Sequence, residues 1–324
     1  MKIFKPFEVI KEELFKSEEF SRELLSTKVS LVLKAGGYIL DSGGKRIRPG
    51  LTILSGKLVG APLERLIPVA TVMEYMHTAT LLHDDIVDGA KLRRGKPSAN
   101  DVFGNDVAVL VGDYMFAKAI YVLAVYGGEE VLKVAAKTVQ DMSEGELLQL
   151  ENVGNTDVDE DYYFDVIYRK TASLLSTCCE CGALLGNPSD EKRESLRKFG
   201  EFIGYAFQLV DDAFDYVSHS ERIGKPAGND IREGKVTYPL LSVWSELSDK
   251  EREFIRKVFS EVEPSREEID RVRKIVLSKG GDRKTFQLAR EYVERAKELL
   301  KQFPESEYRG ALCEVADFIV ERTY

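Results

Sequence analysis

The chain is poor in the side chains that most often mark a metal or redox centre. It has 3 His, 4 Cys and a single Trp in 324 residues. Three of the cysteines stand together, Cys178, Cys179 and Cys181, but no His lies near them. They read as small buried helix residues in a reducing compartment, not as a zinc cluster or a disulfide framework. A positive excess is missing too: 55 Asp plus Glu against 46 Lys plus Arg leave a formal net charge of −9, which argues against a nucleic-acid partner. No stretch of about eighteen uncharged apolar residues occurs, so no membrane span is expected. The most apolar long segment, Val107 to Val125, is interrupted by Asp113 and Lys118. The opening residues Met1-Lys2-Ile3-Phe4-Lys5-Pro6 carry neither an apolar leader core nor a small-residue cleavage site, and the expected location is the cytoplasm. Strand-like alternation, hairpin signals, a βαβ rhythm, internal repeats and low-complexity tracts are also wanting.

What is there is helical periodicity. Near the C-terminus Phe286, Ala289, Val293, Ala296, Leu300 and Phe303 recur at three- and four-residue steps until Pro304 stops them. Similar patterns run roughly over 8–25, 28–40, 47–60, 63–88, 105–126, 129–151, 159–185, 190–219 and 236–260. Short punctuators separate them, among them Gly43-Gly44, Gly60-Ala61-Pro62, Gly127-Gly128 and Gly186-Asn187-Pro188. The expected architecture is all-α: one large domain, residues 1–324, of about ten or more helices.

Two of these segments end in the same acidic pattern, D-D-x-x-D: Asp84, Asp85 and Asp88, then Asp211, Asp212 and Asp215. Residues four apart on a helix fall within about 40° of each other, so the outer two carboxylates share a face. Like charges at a helix C-terminus are disfavoured twice, by each other and by the macrodipole. Folding gives no reason to build that arrangement two times. A hard divalent cation removes the penalty, and Mg²⁺ favours a few carboxylates completed by water and phosphate oxygens.

The residues leading into each triplet are mostly apolar, Val69 to Leu82 before the first and Phe199 to Val210 before the second. The acids are therefore expected at the mouth of a buried hollow rather than on a solvated face. Cations are concentrated nearby in an otherwise acidic chain: Lys45, Arg46 and Arg48 on a glycine-hinged turn, Arg93 and Arg94 just after the first triplet, Lys170 mid-helix, Lys225 and Lys235 after the second. Arg forks and Lys point charges are the usual grips for phosphate. Metal-binding carboxylates and cationic grips at an apolar mouth describe a ligand with a diphosphate head and a greasy tail.

These elements, in this order, resemble the trans-isoprenyl (polyprenyl) diphosphate synthases over nearly the whole chain. The resemblance rests on G-G-K-R-I-R-P (Gly43 to Pro49), H-x5-H-D-D-x-x-D (His77 to Asp88), R-R-G (Arg93 to Gly95) and G-D (Gly112-Asp113). It continues through K-T-A (Lys170 to Ala172), F-Q-x-x-D-D-x-x-D (Phe207 to Asp215), G-K (Gly224-Lys225) and G-K-x-T-x-P (Gly234 to Pro239). It implies mostly antiparallel helices around a deep central cavity, a homodimer, and Mg²⁺-dependent condensation of isopentenyl diphosphate with an allylic diphosphate. Asp84, Asp88 and Asp211 would hold Mg²⁺, with Asp85, Asp212 and Asp215 completing the clusters. Arg93, Lys170, Lys225 and Lys235 would grip the allylic diphosphate. Lys45, Arg48, His77 and Arg94 would form the isopentenyl diphosphate site, and Thr171 and Gln208 would stabilise the allylic cation. His83 reads as structural and His219 as a loop residue.

In such enzymes product length follows side-chain bulk four, five and eight residues before the first Asp, here Thr80, Ala79 and Met76. None closes the pocket firmly, and Ala135 and Ala136 on the helix expected opposite offer little floor. With about 5.4 Å per helical turn, roughly one isoprene unit, the expected product is medium or long, roughly C30 to C40, ahead of geranylgeranyl diphosphate. A terpene cyclase or head-to-head synthase would not need the G-G-K-R-I-R-P and Arg93-Arg94 elements. A His-Asp phosphohydrolase would leave the second triplet unexplained. A non-catalytic subunit of a two-component synthase would be expected to have lost acidic motifs, and both are intact.

Overall fold

The computed structural model describes residues 3–41, 43–93, 95–217 and 227–321. After a 3₁₀ turn at Lys5–Ile10 come α1 (Lys11–Leu24), α2 (Ser30–Leu40), α3 (Ile47–Leu58) and α4 (Leu63–Val87). A short pair of strands, β1 (Leu92–Arg93) and β2 (Lys96–Pro97), leads to α5 (Ala99–Phe103), α6 (Asn105–Val122) and α7 (Glu129–Glu151). Then follow α8 (Glu160–Ile167), α9 (Ser173–Leu185), α10 (Asp190–Val217), α11 (Asn229–Arg232) and α12 (Tyr238–Leu241). The last are α13 (Asp249–Phe259), α14 (Arg266–Ser278), α15 (Gly281–Leu299) and α16 (Glu307–Glu321). The fold is the expected all-α one. Three expectations change in detail: the pattern over 236–260 is cut into α12, a 3₁₀ turn and α13, that over 159–185 is broken by a π turn at Tyr168–Ala172 between α8 and α9, and the loop after the first acidic triplet closes as a two-residue antiparallel ladder pairing Leu92 with Pro97 and Arg93 with Lys96.

Local signals explain several boundaries. Ser248 and Ser265 each accept from the backbone N–H three residues on, while Glu251 and Glu268 reach back to the cap, so α13 and α14 both open with a capping box. Asp159 caps α8 by accepting from the Tyr162 N–H at 2.9 Å.

The chain divides into two compact units. The first comprises Met1–Val139, Leu174–Gly200 and Leu299–Val315. Its centre is α4, which packs most extensively on α6 and then on α3 and α1. Val69, Ala70, Val72, Met73, Tyr75, Met76 and Ala79 are all buried, because α4 is apolar around its circumference and is surrounded rather than laid on a surface. Cys178, Cys179 and Cys181 are buried in α9, as expected. Cys178 and Cys181 have the C-x-x-C spacing of redox motifs, yet burial pushes the Cys178 thiol up to about 12, which makes it inert.

The second unit comprises Gln140–Ser173, Glu201–Glu298 and Ala316–Tyr324. One part of its core gathers Tyr216, Ile231, Leu240, Val243, Ile255, Val258, Val272 and Val276. Beside it lies a half-buried aromatic cluster: Phe164 meets Tyr205, Tyr238 and Tyr292, and the buried Tyr163 meets Tyr238, with ring centroids between 5.6 and 6.0 Å apart. These rings fix α8 against α10, α12 and α15.

Candidate active site

The first acidic triplet occupies the last turn and C-cap of α4. Asp84 is half-buried, Asp88 is exposed, and Asp85, turned about 100° from Asp84, points into the protein and is 1% exposed. A buried carboxylate needs a partner. Arg93 supplies it: its Nε donates to both Asp85 oxygens at 2.9 and 2.8 Å, and its second arm lies 2.7 Å from Oδ1. The strand pair carrying Arg93 is itself stitched to the end of α4. Ser98 Oγ donates to the Ala90 carbonyl at 2.6 Å, and Asn100 Nδ2 to the Asp85 and Ala90 carbonyls at 3.4 and 3.3 Å. Tyr38 Oη on α2 donates to the Pro97 carbonyl at 2.8 Å. Carbonyls that a helix C-terminus leaves open are thereby satisfied. Arg93, expected to grip a diphosphate, is in this structure committed to Asp85. Arg94 lies outside the described residues.

The glycine-hinged turn before α3 separates its three cations. Arg46 takes the left-handed conformation (φ 54°) and turns inward to Glu18, to Glu74 at 3.4 Å and to the Leu40 carbonyl at 3.1 Å. It is spent on the fold. Lys45 is exposed and Arg48 half-buried, as is His77 on α4. His83 is structural, as expected. Its Nε2 is 3.2 Å from the Val109 carbonyl and 3.6 Å from the Asp113 carboxylate on α6. A Cβ on Gly112 would stand 2.3 Å from that nitrogen, so the glycine of the Gly112-Asp113 pair makes room for the imidazole. His219 lies outside the described residues.

Of the residues expected to set product length, Met76 and Ala79 are buried on α4 and Ala135 on α7. Thr80 is half-buried and spends its hydroxyl on the His77 carbonyl at 2.8 Å. Ala136 is a correction: it lies on the exposed side of α7, one residue round from Ala135, and is no part of a buried floor.

The second triplet lies in the last turns of α10. Here again the middle residue, Asp212, is buried. It accepts from Tyr163 Oη on α8 at 2.6 Å and from Gln208 Nε2 at 2.8 Å. Gln208 Oε1 in turn accepts from Thr171 Oγ1 at 2.8 Å, so Thr171, Gln208 and Asp212 form one directed chain. Burial raises the Asp212 carboxyl to about 7; the Tyr163 and Gln208 hydrogen bonds oppose this, and the Asp211 and Asp215 charges add to it. Asp215 behaves differently from Asp88. Its carboxylate accepts the Asn229 and Asp230 backbone N–H groups, both at 3.0 Å, which anchors the start of α11. Asp230 is also driven well above the usual carboxylate range, first by burial and then by Asp215 and Asp212, with Lys235 opposing.

Tyr163, Thr171, Gln208, Asp212 and Asp230 line a pocket of about 230 Å³ that also takes in Gln149, Lys170, Lys235 and Thr237; Asp211 and Asp215 are not part of its lining. Lys170 reaches Gln149 and Glu146 on α7, each at 2.5 Å, and Lys235 pairs with Glu233 at 2.6 Å. Lys170, Thr171, Gln208, Asp212 and Lys235 were all legible in the sequence. Tyr163, Glu146, Gln149 and Asp230 were not. Asp230 alone had a local signal, standing just beyond the basic loop in Gly228-Asn229-Asp230. Lys225 lies outside the described residues.

Among the described residues no three carboxylate, imidazole or thiolate groups gather closely enough to hold a metal unaided. The donors on offer are carboxylate oxygens, few and partly exposed. That set suits Mg²⁺, which retains water and takes phosphate oxygens, and does not suit a softer metal held in an all-protein cage.

Comparison with known proteins points the same way. The polyprenyl synthetase family model matches residues 29–276. The chain is 37% identical over 300 residues to the octaprenyl diphosphate synthase of Escherichia coli, covering 93% of each chain. It is also 37% identical over 307 residues to the geranyl-diphosphate-specific all-trans-nonaprenyl-diphosphate synthase of Rhodobacter capsulatus, covering 94% of this chain and 93% of that one. Its structure is similar to the crystal structure of a polyprenyl synthase from Caulobacter crescentus complexed with calcium and isoprenyl diphosphate. The TM-score is 0.92 at 35% identity, over 98% of this chain and 97% of that one.

Proposed function

We propose, from the premise that the chain belongs to the polyprenyl synthetase family and is an all-trans prenyltransferase of medium- and long-chain products, that it joins isopentenyl diphosphate to an allylic diphosphate with Mg²⁺ as its metal. Bound Mg²⁺ would add positive charge where the allylic diphosphate departs. Asp84, Asp88 and Asp211 are its ligands in this reading. Lys170 and Lys235, with Lys225, bind the diphosphate and offset the charge that develops on it, and Arg93 joins them from its place on Asp85 with the guanidinium edge that pairing leaves over. Thr171 and Gln208 turn oxygen atoms toward the allylic carbon, while Lys45, Arg48, His77 and Arg94 orient isopentenyl diphosphate. Asp85, Asp212 and Asp215 hold their helix ends in place. Residues 1–324 act as one catalytic domain in the cytoplasm.

The observation that supports this most directly is the Thr171–Gln208–Asp212 hydrogen-bond chain in a pocket shared with Lys170 and Lys235. A prearranged site that substrate fills and so clears of water is what a carbocation needs if water is not to quench it. For product length, the small Ala79 and the octaprenyl and nonaprenyl relatives support roughly C30 to C40 over geranylgeranyl diphosphate. Incubating the purified protein with isopentenyl and farnesyl diphosphates and Mg²⁺ tests both parts. No elongation would overturn the activity, and arrest at geranylgeranyl diphosphate would overturn the length. Ala79→Phe is expected to shorten the product.

A homodimer is also part of the proposal. The helix Asn105–Gly127 is long and apolar enough to cross a membrane, with a mean hydropathy of 1.7. Asp113 and Lys118 interrupt it, and one face packs on α4. The other face exposes Leu110, Ile120, Tyr121 and Val125, apolar surface that a second copy of the chain would cover. Sedimentation of a single monomeric species at micromolar concentration would remove this part of the reading.

A further inference from the structure

Between α8 and α9 the helix is interrupted by a single π turn, Tyr168–Ala172, in which the Ser173 N–H reaches the Tyr168 carbonyl. Such one-turn bulges are rare and are found most often at functional sites. This one carries Lys170 and Thr171. Consecutive residues of an ordinary helix diverge by about 100°. Here Lys170 is delivered to Gln149 and Glu146 on α7, and Thr171 to Gln208 on α10. The geometry of the proposed diphosphate grip therefore depends on the turn being kept in this register.

Two glycines and one arginine keep it there. A Cβ on Gly145 of α7 would lie 2.6 Å from the Arg169 Cβ and 3.0 Å from the Lys170 Cγ. A Cβ on Gly204 of α10 would lie 2.4 Å from the Ala172 Cα. The turn is thus seated directly on two bare helix faces. Arg169, in the same turn, donates from Nε to Asp165 at 2.8 Å, and from Nη1 to Glu144 and, at 3.4 Å, to the buried Asp141. One guanidinium thereby ties the residues before the turn to two positions of α7, Asp141 and Glu144, that precede Gly145. A lysine, with a single compact head, cannot span all three carboxylates.

We propose that Arg169 is a positioning residue for the allylic half of the reaction: by locking the π turn against Gly145 it sets where Lys170 and Thr171 present their polar atoms, without touching substrate itself. This deepens the proposed function and rests on it. The test is a series, Arg169→Lys, Arg169→Gln and Gly145→Ala, with Arg197→Gln as the control. Arg197 pairs with Glu194 at 2.7 Å in the other unit.

For Arg169→Lys and Gly145→Ala the expected result is a loss of about tenfold to a hundredfold in kcat/KM for the allylic diphosphate, the cost of a misplacement near 1 Å. KM for isopentenyl diphosphate stays within about twofold of wild type, and Arg197→Gln matches wild type throughout. Unchanged allylic kinetics in Arg169→Lys would overturn the proposal. So would a parallel rise of both KM values together with a lowered Tm, since that is the signature of a prop for the fold. If the wild-type protein elongates nothing, the proposed function falls, and the positioning claim is then read from the calorimetric Kd for inorganic pyrophosphate with Mg²⁺. A weakening of about tenfold in Arg169→Lys sustains it; equal affinities, or no binding by wild type, end it.

Discussion

At the end of α4 the buried second aspartate, Asp85, is met by the guanidinium of Arg93, whereas at the end of α10 its counterpart Asp212 is met by the Tyr163 hydroxyl and the Gln208 amide. The sequence pattern is the same in both places. One carboxylate is neutralised by a full opposite charge; the other is held by neutral dipoles beside further acids. The difference extends to the outer positions. Asp88 is exposed, while Asp215 accepts two backbone N–H groups and anchors α11. Repetition of a motif therefore specifies where carboxylates point, not which partners hold each one or what its loss would cost.

The largest expected effect tests what the triplets share. Asp84→Asn and Asp211→Asn should each lower kcat of the Mg²⁺-dependent condensation by about a hundredfold to a thousandfold, the range seen when one preorganised charge-stabilising group is removed. Near-normal turnover in either variant would mean that the two ends are unequal in chemistry as well as in electrostatics. Next come the stabilities, where the ends should diverge. Arg93→Ala leaves Asp85 buried without its cation and should cost about 3 kcal/mol by urea denaturation. Asp212→Asn replaces a carboxyl already inclined to be neutral and should stay within about 1 kcal/mol of wild type. Equal costs would erase the contrast.

The smallest effect is a pH dependence. In the folded chain Asp212 titrates at about 7, above the value of about 4 expected for an unfolded chain. Between those values the folded state binds the extra proton. The corresponding stability is fully present below about pH 4 and is lost as pH rises through the folded value. In chelator, the wild-type Tm should fall from pH 5 to pH 7, and Asp212→Asn should flatten that fall. A slope that survives Asp212→Asn would place the titration elsewhere, with Asp230 the next carboxyl to examine.

How much of this was legible in the sequence depends on the distance over which each feature is encoded. Period and punctuation located most helices, because the alternation of apolar faces and glycine breaks is a local property. They joined α12 to α13 because a helix, a 3₁₀ turn and another helix can carry one continuous apolar spacing. Ser265-x-x-Glu268, a capping signal in plain view, opens α14 in a stretch where the period alone marked nothing. The strand pair after Gly89 left no alternation to read, since two residues per strand are too few to show a period.

The sequence by itself determined that two sets of aspartates four apart would end apolar helices and that lysines and arginines would stand near them. Those are consequences of helical geometry and charge, which act over a few residues. Only the tertiary structure decided that Arg46 would be consumed by Glu18 and Glu74, that Arg93 would hold Asp85, and that Tyr163, Gln149 and Asp230 would join the pocket. The partner of a buried charge is chosen by which distant segment packs against it, and no local pattern carries that information.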